Sequence, residues 1–148
     1  MADLTLNYPG INQGNTLPLK NLQGQGIITF GNVFYVSSAT TGNFIGSDTA
    51  NNGKSPAAPY ATLNQARSSA TASNGDIIYL LPGHTESITA AAGVALSKAG
   101  LTIIGLGVGS LRPTFNFLTA AGASFDITAA NIAISICSFT NGIHAQTE

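Results

Sequence analysis

Apolar residues in the second half of the chain fall into short runs whose starts are 25 and then 31 residues apart, roughly the period of small structural repeats. Three of these runs are dense in Ile and Leu and predict strands, at positions 76–81, 101–106 and 132–136. Between them lie two similar segments, each with a small-residue turn and a short strand, at 91–100 and 120–131. This pattern is typical of a solenoid. A doubly wound α/β sheet is disfavoured, because it needs a crossover helix between parallel strands.

One segment with a helical pattern precedes the repeats. Thr62 and Gln65 fit a capping box, in which each side chain satisfies a backbone N–H at the other position. A narrow apolar face follows, and Ser73-Asn74-Gly75 is a typical helix stop. The pattern therefore predicts a helix over about 62–73. Since a helix this short is unstable alone, we expect it to cover one open end of the solenoid, where unpaired strand edges promote aggregation.

The first 30 residues contain no clear helix or repeat, and Pro and Gly interrupt their short apolar pieces. A disordered leader is one interpretation of this segment. We favour an extended arm, residues 1–30, because its apolar content is high for a solvated tail. The candidate partner-binding residues of the arm are Leu4, Leu6, Tyr8, Ile11, Leu17, Leu19 and Leu22. Residues 27–36 predict a strand, and residues 31–148 are expected to form a single domain.

Charged residues make up only 7% of the chain, against about 25% in typical domains. Because solubility depends on surface charge, we expect much of the surface to face other subunits. The net charge is −1 and the five Lys and Arg residues are scattered, which argues against a nucleic-acid partner. No secretory signal or membrane-length apolar run is present. We therefore expect no membrane partner and synthesis in a cytoplasm.

A set of short motifs follows in a fixed order between Gly46 and Glu86. They are G-x-D at 46–48, N-x-G at 51–53, Ser55-Pro56, Thr62, G-D-x-I at 75–78 and Pro82-Gly83. This order resembles the first coil of the pectate-lyase-like β-helix superfamily. The resemblance implies an all-β fold: a short right-handed parallel β-helix of about three coils, with one N-terminal capping helix and an extended N-terminal arm.

A longer pattern, over roughly residues 31–139, resembles small structural proteins of tailed bacteriophages, among them capsid decoration (cement) proteins. This resemblance implies a non-enzymatic virion protein, made in the host cytoplasm, that binds the major capsid protein on the capsid surface. It would stabilise the phage head as a homotrimer. The alternative is a tailspike or receptor-binding β-helix module that recognises host surface polysaccharide. The lack of Trp and the shortage of acidic residues count against this alternative.

Polysaccharide cleavage requires acidic residues close together. Glycosidases place two carboxylates about 5–5.5 or 6.5–9.5 Å apart. Lyases that resemble this chain in fold use several acidic residues around Ca²⁺ and an Arg as the base. The six acids of this chain are dispersed. Asp48 belongs to the loop before the helix, and Asp76 is expected to accept N–H groups of a turn. We predict no catalytic residue, no cofactor and no metal site.

Three further features have a local structural interpretation. His84 and Glu86 face the same side of an extended segment and could pair or share a metal. Because two ligands make a weak metal site, we predict a surface turn with a His–Glu hydrogen bond. The Gly-rich run 105–110 lacks the spacing of a dinucleotide loop and predicts a tight corner. Cys137 lies in an apolar run and is expected to be a small core residue.

Overall fold

The computed structural model describes residues 29, 31–118 and 122–141. Within these ranges most regular elements are short strands, with one α-helix, α1, at Leu63–Ser69 and one 3₁₀ turn at Gly109–Leu111. The strands are β1 Val33–Val36, β2 Ile77–Leu80, β3 Thr85–Ile88, β4 Val94–Leu96, β5 Thr102–Gly105, β6 Thr114–Phe117, β7 Phe125–Ile127, β8 Ala133–Ser135 and β9 Ser138–Asn141.

The strands form three sheets in which every described pairing is parallel. Sheet A has the order β1-β2-β5-β8, sheet B the order β3-β6-β9, and sheet C pairs β4 with β7. The chain visits the sheets in turn, so each strand pairs with strands that lie far away in sequence. The predicted all-β class with parallel sheets is confirmed at this level.

The core lies between the three sheets. In sheet A the register aligns Phe34, Ile78, Ile103 and Ile134, one from each strand, along the inner side. Sheets B and C contribute Ile88, Phe115, Val94 and Leu96 to the same buried cluster. Because successive side chains of a strand point to opposite faces, each of the strands β1 to β8 supplies one or two residues to this interior.

Helix α1 packs against β1, β2 and β4, with Leu63 and Ala66 in the core cluster. Burying a Leu side chain contributes about 1.5–3 kcal/mol, which offsets the weak intrinsic stability of a helix with seven residues. The helix lies inside the predicted range of about 62–73. It stops early because Ala70 leaves the helical conformation, while Lys98 Nζ donates to the carbonyls of Ser68 and Ala70.

Strands β2, β5 and β8 of sheet A match the three apolar runs in the sequence, and β1 lies within the predicted strand 27–36. The strands of sheet B were not predicted, because each is short and carries polar residues at half or more of its positions. The seven candidate arm residues lie outside the described residues, as do positions 27, 28 and 30 of the predicted strand 27–36. No helix in the described ranges is long and apolar enough to cross a membrane.

Candidate functional site

The motifs of the segment 46–86 place three carboxylates around helix α1 and the strand that follows it. These are Asp48, Asp76 and Glu86, and the remaining acid in the described ranges is Asp126 on β7. Since these carboxylates are the candidates for acid–base or metal chemistry, their hydrogen-bond partners decide what the segment can do.

Asp48 holds the chain just before helix α1. Its Oδ1 accepts the N–H groups of Ala61 and Thr62 at 2.7 and 3.1 Å, and its Oδ2 accepts the Thr62 hydroxyl at 2.8 Å. Thr62 in turn accepts the Gln65 N–H at 3.2 Å. The capping box is therefore formed in only one direction: the Thr62 N–H donates to Asp48 and not to Gln65.

Asp76 is buried at the turn that precedes β2. Its carboxylate accepts the N–H groups of Asn32 at 2.7 Å and Thr71 at 2.6 Å, and the Asn74 side-chain amide at 2.6 Å. Burial opposes ionisation, but these hydrogen bonds outweigh it and hold the pKa of Asp76 below its usual value. The predicted role of Asp76 as an acceptor of turn N–H groups is confirmed.

His84 and Glu86 form the predicted hydrogen bond, with 3.0 Å between His84 Nε2 and Glu86 Oε1. The expectation of a surface turn is wrong, since the His84 side chain is fully buried and lies edge-on to the Phe115 ring. Glu86 Oε1 also accepts the Leu63 N–H at 2.5 Å. Glu86 therefore links β3 to the first residue of helix α1. The other ring nitrogen of His84, Nδ1, is buried without a hydrogen-bond partner among the described residues.

No group of three His, Cys, Asp or Glu side chains in the described part of the chain is arranged to hold a metal ion. Cys137 is partly buried against the core cluster, as expected for a small core residue. Its thiol donates to the Ser135 carbonyl at 3.4 Å, and burial raises its pKa.

The Gly-rich run 105–110 forms a tight corner between sheets A and B, as predicted. A Cβ at Gly107 would lie 1.7 Å from the Leu111 carbonyl oxygen, so only glycine fits there. The corner exposes three apolar side chains, Leu106, Val108 and Leu111, which we call the corner patch; Val108 is 76% exposed.

A second set of exposed apolar side chains lies near the last strand of each sheet. We call Ile127, Ile136 and Phe139 the terminal patch. Sequence reasoning missed both patches, because an apolar residue in a repeat is by default assigned to the core. Their exposure makes them candidate contact surfaces.

Protein-family models, curated proteins and solved structures were compared with the chain, and none of the three comparisons finds a match.

Proposed function

We propose that this chain is a non-enzymatic capsid decoration protein of a tailed bacteriophage. In this proposal its fold is a short right-handed parallel β-helix of about three coils, with helix α1 covering one end. The protein is a homotrimer that binds the major capsid protein on the outside of the head and stabilises the shell. The parallel sheets and the order in which the chain visits them support the fold.

The observation that carries the proposal is the engagement of the carboxylates. Asp48, Asp76 and Glu86 each accept backbone N–H groups from other segments, so each is used to fix a turn or the start of the helix. Asp126 lies on β7 in a different sheet. A polysaccharide-cleaving β-helix requires acids positioned around a substrate, whereas three of the four described carboxylates bind the protein's own backbone.

The surface supports a role in association. Charged residues make up 7% of the chain, and both the corner patch and the terminal patch present apolar side chains to solvent. Exposed apolar patches are typical of protein–protein contact surfaces. Burying such surfaces between three copies would remove them from water without requiring charge complementarity.

The proposed attachment is multivalent. Each chain of the trimer contributes one N-terminal arm, and its seven apolar residues, Leu4, Leu6, Tyr8, Ile11, Leu17, Leu19 and Leu22, bind the shell or an adjacent trimer. Once one arm is bound, the other two act at high effective concentration. Weak individual contacts then give a stable attachment.

Arm variants of the full-length chain test this function. Replacing Leu4, Leu6 and Leu17 with Ser should abolish binding to purified phage heads while the protein remains a trimer of the 15.0 kDa chain in light scattering. Replacing the polar arm residues Thr5, Asn7 and Gln13 with Ser is the matched control and should leave binding unchanged. Equal binding by both variants would refute anchoring by the arm.

The copy number in purified virions separates decoration from the alternative. Quantitative mass spectrometry of virions should give a number comparable to that of the major capsid protein's lattice sites. A number closer to that of tail fibres, or selective binding to a polysaccharide in a glycan array, would contradict the decoration role and favour a receptor-binding module.

A further inference from the structure

The outward-facing side of sheet A is uncharged. Its residues occupy the positions that alternate with the core residues, so their side chains point away from the interior. They are Val33, Tyr35, Ile77, Tyr79, Thr102, Ile104, Ala133 and Ser135. We call this set the outer face of sheet A. A solvated face of a sheet is usually polar, and the centre of this one is aliphatic and aromatic.

Two residues at the centre of the outer face are excluded from solvent. Ile77 is 2% exposed and Ile104 is 0% exposed, although neither belongs to the interior core cluster. Helix α1 and the core residues of sheets B and C pack on the opposite side of sheet A, with Phe34 and Ile78. A side chain that points out of a single sheet and is still buried requires a covering layer on that side.

Two tyrosines lie beside this buried centre. Tyr35 and Tyr79 are paired across β1 and β2, with ring centroids 5.6 Å apart and the rings 26° from parallel. Burial, together with the neighbouring Tyr79, raises the pKa of Tyr35. Both tyrosines are only partly exposed, as expected beneath a cover.

We propose that the outer face of sheet A is the docking site of the chain's own N-terminal segment, residues 1–28. The chain enters the described structure at this sheet: the Thr29 hydroxyl donates to the Gly75 carbonyl, and Gly31 fits closely against residues 74–76, directly before β2. The segment therefore emerges at the edge of the face that needs a cover.

The length and pattern of the segment fit this site. Fully extended, its 28 residues span up to about 90 Å, whereas four parallel strands are only about 20 Å wide. The stretch Leu4-Thr5-Leu6-Asn7-Tyr8 alternates apolar and polar residues, which is the pattern of an extended segment with one apolar side. Docking would bury that side against Ile77 and Ile104.

This inference concerns the protein in solution and does not depend on a role in a virion. If the chain is a decoration protein, the docked arm gives a storage state, which is the free protein before it binds the shell. The arm and the outer face of sheet A protect each other from aggregation until the shell binds the arm.

Photo-crosslinking in the full-length chain tests the docking. We would place p-benzoylphenylalanine at Tyr79, irradiate the purified protein and map the adducts by mass spectrometry. Adducts within one chain to peptides from residues 1–28 are expected. The same label at Val108, which is exposed at the corner patch, is the control and should give no such adduct.

Other outcomes would overturn the proposal. Adducts that join two chains, seen at twice the mass of the chain, would show that another copy covers the face. Adducts to a different segment, or none from a folded protein, would exclude residues 1–28. If the label at Tyr79 prevents folding, Thr102 on the same face provides a second position for it.

A footprinting experiment provides an independent measurement on the full-length chain. Replacing Leu4 and Leu6 with Lys should increase the nitration of Tyr35 and Tyr79 and leave Tyr60, which belongs to the core cluster, unchanged. Unaltered nitration of Tyr35 and Tyr79 would count against docking by the arm.

Discussion

At the scale of single residues, four of the described charged side chains, Asp48, Asp76, Glu86 and Lys98, form hydrogen bonds with the backbone. Asp48 binds the segment before helix α1, Glu86 binds the first helical N–H, and Lys98 binds carbonyls at the helix end. Each contact joins segments more than ten residues apart. Hydrogen bonds with a charged partner contribute about 1.5–3 kcal/mol, so a few such residues can fix the loops of a small fold.

Asp76 gives a prediction for stability and its pH dependence. Asp76→Asn should lower the free energy of unfolding at pH 7 by about 1–3 kcal/mol, because the charged acceptor of three donors is lost. The pKa of Asp76 is lowered in the folded state. The contribution of the Asp76 carboxylate to stability is therefore complete above the ordinary Asp pKa of about 3.9. It disappears as the pH falls through the pKa of Asp76 in the folded protein.

Urea unfolding at pH 7 and at pH 3 measures this effect. The difference between the parent protein and Asp76→Asn should shrink at the lower pH. Asp126→Asn is the matched control, because Asp126 lies on β7 outside these networks. An equal loss of stability in both variants would contradict the role assigned to Asp76.

The sequence predicted some of these roles and missed others for a physical reason. Asp76 was assigned correctly because its partners include nearby turn residues such as Thr71 and Asn74. The bond from Leu63 to Glu86 spans 23 positions and exists only because β3 is brought beside the helix. Burial of His84 was missed for the same reason, since its cover comes from the tertiary fold and includes Phe115.

At the scale of elements, the strands with more apolar positions were the ones that could be predicted from the sequence. The strands of sheet A are apolar on both sides, as β2 shows with Ile77, Ile78 and Leu80, so they stand out in the sequence. Strand β3, Thr85–Ile88, has a single buried apolar residue. Its extended conformation is set by pairing with β6, which no local pattern encodes.

The turn between β5 and β6 provides a prediction at this scale, because Gly107 and Gly109 are required there for different reasons. Gly109 has a positive φ of 57° and open space around its Cα, whereas Gly107 is limited by the Leu111 carbonyl. Gly109→Ala should lower the free energy of unfolding by about 1 kcal/mol. Gly107→Ala should lower it by more, since backbone must move to admit the methyl group.

Thermal or urea unfolding of both variants, with the parent protein alongside, separates these two causes. An equal effect of the two substitutions would mean that backbone conformation, and not the close approach at Gly107, determines the choice of glycine in this turn.

At the scale of the whole molecule, the core is densest near helix α1 and thins toward the last strands. Ile103 on β5 is 0% exposed, whereas Ile134, its partner on β8, is only partly buried. Phe139 of the terminal patch is likewise 49% exposed, whereas Phe115, its partner on β6, is 0% exposed. Because stacked repeats gain stability from their neighbours on each side, local stability should decrease in the same direction.

Two alanine variants measure this gradient. Ile103→Ala should lower the free energy of unfolding by about 2–5 kcal/mol, the range for large-to-small changes in a core. Ile134→Ala is chemically identical and should lower it by clearly less, because its site is open on one side. Urea unfolding of both variants gives the comparison, and equal losses would show that β8 is as well covered as β5.

The hydrogen bonds between charged side chains and backbone groups have a consequence for the response to ionic strength. Mobile ions screen charges over a Debye length of about 8 Å at physiological ionic strength, and they weaken exposed ion pairs most. Lys98 and Asp76 instead face carbonyl and amide dipoles at contact distance, and the hydrogen bond between His84 and Glu86 is buried. Dissolved salt should therefore screen the described contacts only weakly, and the free energy of unfolding should change little with ionic strength.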